Sequence, residues 1–353
     1  MPRYGIDLTA CWRPRVGMVT HAVELSRAML AAAPAGSLVL FSSRERVSGL
    51  EGDYEAVLSP HRQEIANKLL WFPAVEHDAG LDAILYPYWP PPPRRRAAAP
   101  PAAFFVHDLA FRRRPDEVPW QQRAYLGTVL GPAIRSAAAV LVPSSATAAD
   151  LASCYPYPDL PARVQVIPEG PAPLPEPGRL PEGLEPGFIL AVGTLEPRKN
   201  YRRLAEAHRM LPGAPPLVIA GRPGWNGARA PEGPGVRVLG HVDDATLAAL
   251  YSNASLLAFP SLLEGFGLPL LEAMGHGLPS LVGDRGALPE LGGDAVVAVD
   301  PESVDAIAAG LSRLLADATL RRRLGAAGRK RAKAYSWAFA AESVLRTLAD
   351  ISR

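Results

Sequence analysis

Short apolar runs alternate with helical patterns along the first part of the chain. The runs that indicate strands are Tyr4 to Leu8, Leu38 to Phe41, Ala83 to Tyr86, Ala103 to Val106 and Val140 to Val142. Their central residues are apolar throughout, which is typical of strands buried on both faces of a parallel sheet. One side of the first helical pattern carries Val19, Val23, Ser26 and Leu30. The pattern therefore predicts an α/β fold with helices on both faces of the sheet.

A proline-rich segment interrupts this alternation. Its prolines are Pro168, Pro171, Pro173, Pro175, Pro177, Pro181 and Pro186. Proline fixes φ and lacks an N–H, so the segment sustains neither a helix nor a central strand. Strands and helices alternate again from Gly187, and a late helix carries Val304, Ile307, Leu311 and Leu315 on one side. We predict an N-terminal domain over 1–170, a linker over 171–187, a second doubly wound domain over 188–336 and a last helix over 337–353.

Length and charge limit the class of protein. The 353 residues permit two compact cores, and a net charge of +2 without a basic stripe argues against nucleic acid as a partner. Cys11 and Cys154 fit neither a metal site nor a disulfide framework, and no charged-then-apolar leader opens the sequence. A reducing cytoplasm is the expected location. No apolar run approaches the ~18 residues needed to span a bilayer, so membrane contact is expected to be peripheral.

A glycine-rich turn between two glutamates is the first candidate for chemistry. Glu264 and Glu272 enclose a turn and helix start, and the donor-side residues predicted there are Gly265, Phe266, Gly267 and Leu268, with Pro269 expected at the first helical position. Amides at a helix start face the positive end of the macrodipole and suit an anion. A sugar nucleotide matches this layout, with Glu264 accepting hydrogen bonds from the sugar and Glu272 from the ribose. The alternative is a capped surface helix.

A second strand-to-helix turn carries two adjacent cations. It runs from Gly193 to Asn200, after the apolar run Phe188 to Val192, and contains Arg198 and Lys199. Basic residues oppose the helix dipole at a helix start, so this pair indicates an anionic partner, for which a diphosphate is suitable. The alternative is a solvated basic turn.

Together these motifs resemble the group 1, or family 4, retaining glycosyltransferases of the GT-B fold. Further matches in the family's order are Val218 to Gly221, Gly240 to Val242, Ala258 to Ser261, Gly277 to Pro279 and Leu288 to Glu290. In the first half, Gly5 to Asp7, Val16-Gly17, His107 to Leu109 and Pro143-Ser144 are similar to a subset that includes several mannosyltransferases. Arg15 replaces that subset's usual first glycine, and Glu169 replaces a common Asn.

The resemblance implies two doubly wound Rossmann-like domains facing each other across a cleft, with the last helix packing back on the first domain. It also implies a hexose transfer that retains the anomeric configuration. We favour a front-face reaction, because no carboxylate stands out as a covalent nucleophile and the departing phosphate oxygen can take the acceptor's proton. The sequence shows no Asp-x-Asp and no His/carboxylate cluster for a metal, so we expect no metal cofactor. Arg198 and Lys199 would stabilise the leaving charge, and Glu264 would orient the sugar.

Candidate residues on the acceptor side follow strands of the first domain. His107 would hydrogen-bond the sugar or acceptor, and Asp108 would orient that site, although a His-Asp pair is often only a capped turn. Gly17 would let an amide approach the diphosphate, with Arg15 adding charge or remaining solvated. Tyr88 and Trp89 begin a stiff loop through Pro90 to Pro93 that would receive the acceptor, because aromatic faces suit sugar rings.

Two arginine triplets, Arg94 to Arg96 and Arg112 to Arg114, suggest contact with a lipid-linked acceptor or an anionic membrane. Solvated surface is the alternative for each. The loop Arg222 to Asn226 and the pair His241-Val242 would select the nucleotide base, with GDP-mannose the first expectation for the donor and UDP-glucose the second. Other classes left open are a sugar phosphorylase, a nucleotide-sugar epimerase and a noncatalytic sugar-nucleotide-binding protein.

Overall fold

The structure is a computed structural model that describes residues 1–11, 17–43, 47, 49–61, 66–92, 95, 98–224 and 231–353. The chain divides into two compact units. The first unit comprises Met1–Leu109, Gln121–Gly170 and Ser336–Arg353. The second unit comprises Ala110–Trp120 and Pro171–Tyr335. The segment Ala110–Trp120 thus belongs to the second unit although its chain neighbours belong to the first.

The described strands of the first unit form one parallel sheet. They are β1 (Tyr4–Asp7), β2 (Leu38–Ser43), β3 (Glu55–Ser59), β4 (Ala83–Tyr86), β5 (Ala102–Phe105), β6 (Ala139–Val142) and β7 (Val164–Val166), in the order β3-β2-β1-β4-β5-β6-β7. The five predicted strands are confirmed within two residues. The edge strands β3 and β7 were not predicted. Most of their side chains are not buried, and polar residues bound the apolar run of β3 and interrupt that of β7.

The second unit contains another parallel sheet. Its strands are β8 (Ile189–Val192), β9 (Leu217–Ala220), β10 (Val236–Gly240), β11 (Leu256–Phe259), β12 (Ser280–Gly283) and β13 (Val296–Val299), in the order β10-β9-β8-β11-β12-β13. Side chains alternate between two hydrophobic clusters: Leu190 and Val192 lie in one, Ile189 and Ala191 in the other. Both faces of this sheet are therefore buried, as the apolar runs predict.

Helices connect the strands of both sheets. The α-helices of the described chain are α1 (Gly17–Ala32), α2 (Phe72–Asp78), α3 (Ala110–Arg113), α4 (Trp120–Ser136), α5 (Ser145–Cys154), α6 (Leu160–Arg163), α7 (Tyr201–Arg209), α8 (Asp244–Asn253), α9 (Leu268–His276), α10 (Leu288–Gly292), α11 (Val304–Ala316), α12 (Ala318–Ala332) and α13 (Trp337–Ile351). A π-helical turn (Asn67–Trp71) precedes α2, and short 3-10 turns lie at Pro115–Glu117, Pro197–Lys199 and Gly293–Ala295. The last helix, α13, packs against α1 within the first unit.

Candidate active site

The turn after β8 places two cations at the carboxyl end of the second sheet. Gly193 has φ 137°, a conformation that favours glycine, and its carbonyl accepts a 2.9 Å hydrogen bond from the hydroxyl of Tyr201. The chain then makes the 3-10 turn Pro197–Lys199 and enters α7 at Tyr201. Arg198 and Lys199 therefore lie between a strand end and a helix start, which is the position that the sequence predicts.

Asn200 stabilises this turn through hydrogen bonds of its side chain. Among the described non-glycine residues, Asn200 has the one positive φ, 62°, and its side chain is buried. Its Nδ2 donates to the carbonyl of Pro260 at 3.0 Å and to that of Pro301 at 2.6 Å. Asn200 thus joins the turn to the loops after β11 and β13. The sequence motif contains this residue, but we assigned it no role there.

The two sequence motifs meet at Glu264. Arg198 Nη1 lies 2.8 Å from Glu264 Oε2, and Lys199 Nζ lies 2.7 Å from Glu264 Oε1. A second carboxylate, Glu196, lies 2.7 Å from Arg198 Nη2 through its Oε1. Two cations and two carboxylates therefore share the site, and their formal charges cancel. Glu196 is a partner of Arg198 that the sequence interpretation did not include.

Charge pairing keeps Glu264 ionised although it is buried. Burial by itself would raise the pKa of Glu264, but the neighbouring Lys199 and Arg198 lower it to about 2. Burial lowers the pKa of Lys199, while the negative charge of Glu264 offsets part of that shift. The ammonium also lies 4.7 Å from the ring centroid of Phe259, a favourable cation–π contact. An anion that enters here would meet basic side chains that are already paired with carboxylates.

The glycine-rich turn begins α9. Gly267 has φ 109°, and a Cβ on it would come within 2.7 Å of Leu288 Cδ2, so both the backbone and the space require glycine. The helix begins at Leu268, so Pro269 is its second residue rather than its first, a shift that still leaves it within the first turn. The ring of Phe266 is buried and packs against Tyr335, at 5.9 Å between centroids. Its side chain therefore belongs to the core.

Glu272 lies one turn inside α9, as predicted. Its Oε2 accepts a 2.8 Å hydrogen bond from the hydroxyl of Tyr251, a residue of α8 that sequence reasoning missed. Tyr251 also stacks on His276, with 5.4 Å between ring centroids. Burial raises the pKa of Glu272 to about 7, although the hydrogen bond from Tyr251 lowers it. Near neutral pH this carboxyl is therefore partly protonated.

Of the residues predicted to select the base, Val242 is partly buried and packs against the core of the second unit. His241 Nε2 lies 2.8 Å from Arg222 Nη2. Trp225 and Asn226, from the predicted loop, lie outside the described residues, as do Arg15 and Val16.

His107 follows β5 in the first unit, and both of its ring nitrogens face oxygen atoms of the protein. Nε2 lies 2.7 Å from the carbonyl oxygen of Pro87, and Nδ1 lies 3.7 Å from Glu169 Oε1. A contact with a sugar through Nε2 would have to replace the Pro87 carbonyl. The neighbouring Asp108 is half-buried, and Gly17 is the exposed first residue of α1, with open space where a Cβ would lie.

A buried cluster corrects one sequence expectation. His21, His107 and Glu169 each place one potential metal-ligand atom within 4.8 Å of the other two. Among the described residues, these three form the group of side chains that could hold a metal ion. Burial would raise the pKa of Glu169, but the two imidazoles lower it to about 2, and burial lowers the pKa of His21. The expectation that no His/carboxylate cluster exists was wrong, because these residues are far apart in the sequence and meet only in the fold.

The predicted acceptor loop is less open than its sequence suggests. Tyr88 is buried, and Trp89 is half-buried with its ring 5.6 Å from that of Tyr125. Arg95 turns toward Glu76, with Nε 3.2 Å from both carboxylate oxygens. Arg94, Arg96 and Pro93 lie outside the described residues. The ring of Tyr88 therefore does not form an open platform for a sugar.

In the second triplet, Arg112 and Arg113 are exposed, and Arg114 pairs with Glu117 and with Glu302 at 3.1 Å and 3.0 Å. Helices in the described part of the chain are all too short or too polar to cross a bilayer.

Comparison with known proteins agrees with this geometry. Residues 176–331 match the family described as glycosyl transferases group 1. The chain is similar to the O-antigen chain mannosyltransferase B of Escherichia coli, with 34% identity over 250 residues, which cover 65% of this chain and 65% of that relative.

Two solved structures show the fold. A sucrose-phosphate synthase from Thermosynechococcus elongatus has a TM-score of 0.76 at 21% identity and covers 98% of each chain. A protein of Anabaena solved with UDP and glucose has a TM-score of 0.73 at 16% identity, covering 99% of this chain and 100% of that one. The two parallel sheets are thus those of the GT-B architecture. The alignments span 65% or less of the length of the curated relatives, and within this chain residues 176–331 match the glycosyl transferases of group 1.

Proposed function

We propose that this protein is a retaining glycosyltransferase that moves a hexose from a nucleotide diphosphate sugar to a sugar or lipid-linked acceptor, in the synthesis of a cell-surface polysaccharide, glycolipid or glycoside. The convergence of Arg198 and Lys199 on Glu264 carries the proposal, because it unites the two turns expected to hold the donor. GDP-mannose is the favoured donor and UDP-glucose the second. The mannosyltransferase of Escherichia coli among the relatives supports mannose.

Donor binding would rearrange the charge cluster rather than fill an open anion site. Without donor, Glu264 neutralises both cations at hydrogen-bond distance. A diphosphate would accept hydrogen bonds from Arg198 and Lys199, while Glu264 would turn to the hydroxyl groups of the sugar. Glu196 would remain paired with Arg198 at 2.7 Å, and this ion pair would preserve the orientation of the guanidinium group. The site thus exchanges one set of ion pairs for another, which limits the desolvation cost.

The reaction would proceed on one face of the sugar. The bond from the anomeric carbon to the phosphate oxygen breaks, and a bond from the acceptor oxygen to that carbon forms. The acceptor's proton passes to the departing phosphate oxygen, so no separate general base is needed. Arg198 and Lys199 stabilise the leaving diphosphate through fixed charges, and we propose that the step requires no metal at the diphosphate.

Other predicted residues complete the proposed site. Glu272 would accept hydrogen bonds from the ribose, and the amides of Gly265 to Leu268 would meet the phosphates at the start of α9. His107 would contact the sugar or acceptor after releasing the Pro87 carbonyl. Gly17, Asp108 and Trp89 remain proposed contacts on the acceptor side, and Tyr88 would contribute through its backbone.

We further propose a cytoplasmic location with peripheral contact to anionic membrane through Arg112 and Arg113, which are exposed. Sedimentation with phosphatidylglycerol vesicles, compared with neutral vesicles, tests this contact. We expect binding to the anionic vesicles that weakens as salt is added. Equal sedimentation with both kinds of vesicle would contradict the membrane proposal and leave the enzymatic one unaffected.

A donor screen tests the enzymatic proposal. Thermal stabilisation by GDP-mannose, UDP-glucose and the free diphosphates would identify the donor, because a ligand that binds the folded state raises its stability by mass action. Hydrolysis or transfer of the best donor is then measured without added Mg²⁺ or Mn²⁺, and the anomeric configuration of the product is determined. Binding without turnover would indicate a noncatalytic protein, and an altered but untransferred sugar would indicate an epimerase. Stabilisation by none of these ligands would contradict the proposal.

A further inference from the structure

A largely buried group of potential ligands lies in the first unit, and one of its members, His107, is also proposed to contact the sugar or acceptor through Nε2. His21 comes from α1, His107 from the segment after β5, and Glu169 from the segment after β7. We propose that these three side chains bind a divalent transition-metal cation, with zinc the best match. Two imidazoles, one carboxylate and a solvent molecule form a coordination set that zinc adopts in proteins.

The spacing of the ligand atoms suits such an ion. Glu169 Oε1 lies 2.9 Å from His21 Nδ1 and 3.7 Å from His107 Nδ1. All three ligand atoms lie within 4.8 Å of one another. Zinc bonds nitrogen and oxygen at about 2.0–2.2 Å, so neighbouring ligands of a tetrahedral site are separated by about 3.3 Å. The two measured separations lie on either side of that value, and small side-chain movements would equalise them.

His21 is the second indication of a ligand. The residue is buried, yet neither of its ring nitrogens has a hydrogen-bond partner of adequate geometry. Its Nδ1 lies 2.9 Å from Glu169 Oε1, and this contact is an ion pair only when the ring is protonated. A buried imidazole without an aligned partner is costly. Two ligands of one cation lie along an edge of its coordination polyhedron and need not point at each other, so a bound ion would account for this orientation.

His107 is oriented as a metal ligand would be. A carbonyl oxygen can only accept, so the 2.7 Å contact with Pro87 places the proton of a neutral imidazole on Nε2. In that neutral form Nδ1 presents a lone pair toward the carboxylate of Glu169 at 3.7 Å, whereas a protonated ring would pair with the carboxylate. Metal-binding histidines usually donate their other N–H to a backbone carbonyl or a carboxylate. A cation between Nδ1 and Glu169 would make the contact of the neutral form favourable.

A bound ion would connect three separate segments of the first unit. The ring of His21 contacts Phe105 and Trp337, at 4.4 Å and 5.5 Å between centroids. A Cβ on Gly170 would come within 2.4 Å of the backbone nitrogen of Trp337, so the segment carrying Glu169 lies directly against the start of α13. An ion at this point would join α1 to the segments after β5 and β7, next to α13. It would therefore stabilise the first unit.

Metal analysis of the whole chain tests the proposal. Protein purified from zinc-supplemented medium and passed through a desalting column is expected to retain about one zinc ion per chain. After removal of the metal with a strong chelator, zinc chloride is expected to raise the midpoint of thermal unfolding by about 5 °C when it exceeds its Kd about 100-fold. The zinc X-ray absorption spectrum should show nitrogen and oxygen ligands at about 2.0–2.2 Å, including imidazole.

Matched variants assign the ligands. His21→Phe keeps a ring between Phe105 and Trp337, and Glu169→Gln keeps the size of the side chain; both are expected to lose the bound zinc and the thermal shift. His77→Gln, at a residue outside the cluster, should retain both. Wild-type protein that binds no zinc, or variants that bind it as the wild type does, would overturn the proposal. If the variants do not fold, the wild-type metal content and absorption spectrum decide, and neither depends on sugar transfer.

Discussion

Lys199 and Glu264 form a buried ion pair, with 2.7 Å between Nζ and Oε1, although 65 positions separate them in the sequence. One was assigned to the phosphates and the other to the sugar. Their direct contact means that each side chain sets the position of the other before a donor arrives. Changes at either residue should therefore alter both donor binding and the local charge balance.

Replacement of Lys199 should abolish most of the proposed transfer. A unit charge about 4 Å from the diphosphate contributes roughly 4 kcal/mol at an effective dielectric constant near 20. At about 1.4 kcal/mol per factor of ten, Lys199→Ala should reduce kcat by about three decades. The exposed Lys330 provides a control, since Lys330→Ala removes a charge of the same type from α12. Near-normal turnover by Lys199→Ala, with circular dichroism confirming a folded chain, would refute its assignment to the diphosphate.

Glu264 should make stability depend on acid pH. Its pKa in the folded protein, about 2, is below the ordinary value of 4.5, so the stabilisation is present above pH 4.5 and is lost as the pH falls through 4.5 toward 2. The shift corresponds to at most about 3 kcal/mol, and the burial of Lys199 offsets part of it. Urea unfolding at pH 7 and pH 3 should show a smaller difference for Glu264→Gln than for the wild type. Glu185→Gln, at an exposed position, should retain the full difference.

Donor affinity should rise with pH through neutrality. Glu272 has a pKa of about 7 in the folded protein, and its ionised form is the better acceptor of hydrogen bonds from ribose hydroxyls. Calorimetry between pH 6 and pH 8 should show tighter binding at the higher pH. Tyr251→Phe removes a hydrogen bond that lowers this pKa, so the rise should move to higher pH. An affinity independent of pH in the wild type would contradict the ribose assignment.

The same carboxyl should reduce the stability of the donor-free protein. Because the pKa of Glu272 is raised above 4.5, the unfolded chain releases this proton between pH 4.5 and 7 while the folded chain retains it. The folded state is therefore destabilised progressively as the pH rises through that interval. Glu272→Gln should raise the thermal midpoint at pH 8 more than at pH 4.5 while weakening donor binding. A larger increase of the thermal midpoint at pH 4.5 than at pH 8 would contradict the predicted direction of this pH dependence.

Asn200 should tolerate glycine better than alanine. Both changes remove the hydrogen bonds to Pro260 and Pro301, at a cost of about 1–3 kcal/mol for each carbonyl left buried without a partner. Alanine also retains a Cβ at φ 62°, which adds roughly 1 kcal/mol, whereas glycine adopts this conformation without strain. Urea unfolding should give the order wild type, Asn200→Gly, Asn200→Ala. Equal stability of the two variants would show that the backbone conformation carries no cost.

Most of the buried strands and the two glycine-containing turns could be predicted from the sequence. The buried strands could be located because burial on both faces demands unbroken apolar runs, and the same rule missed β3 and β7 at the sheet edge, where burial is incomplete. The turns around Gly193 and Gly267 were recognisable because their glycines and helix starts are local features. Local chemistry likewise placed Glu272 one turn inside its helix.

Contacts between residues that are far apart in the chain could not be predicted from local sequence patterns. The pairing of Arg198 and Lys199 with Glu264, the hydrogen bond from Tyr251 to Glu272 and the inward turn of Arg95 toward Glu76 each join residues from separate elements. The cluster of His21, His107 and Glu169 also depends on three segments meeting. Periodicity and turn chemistry act over a few residues and so determine strands, helices and turns. Side-chain partners and shifted pKa values depend on burial and distance, which only the packed tertiary structure decides.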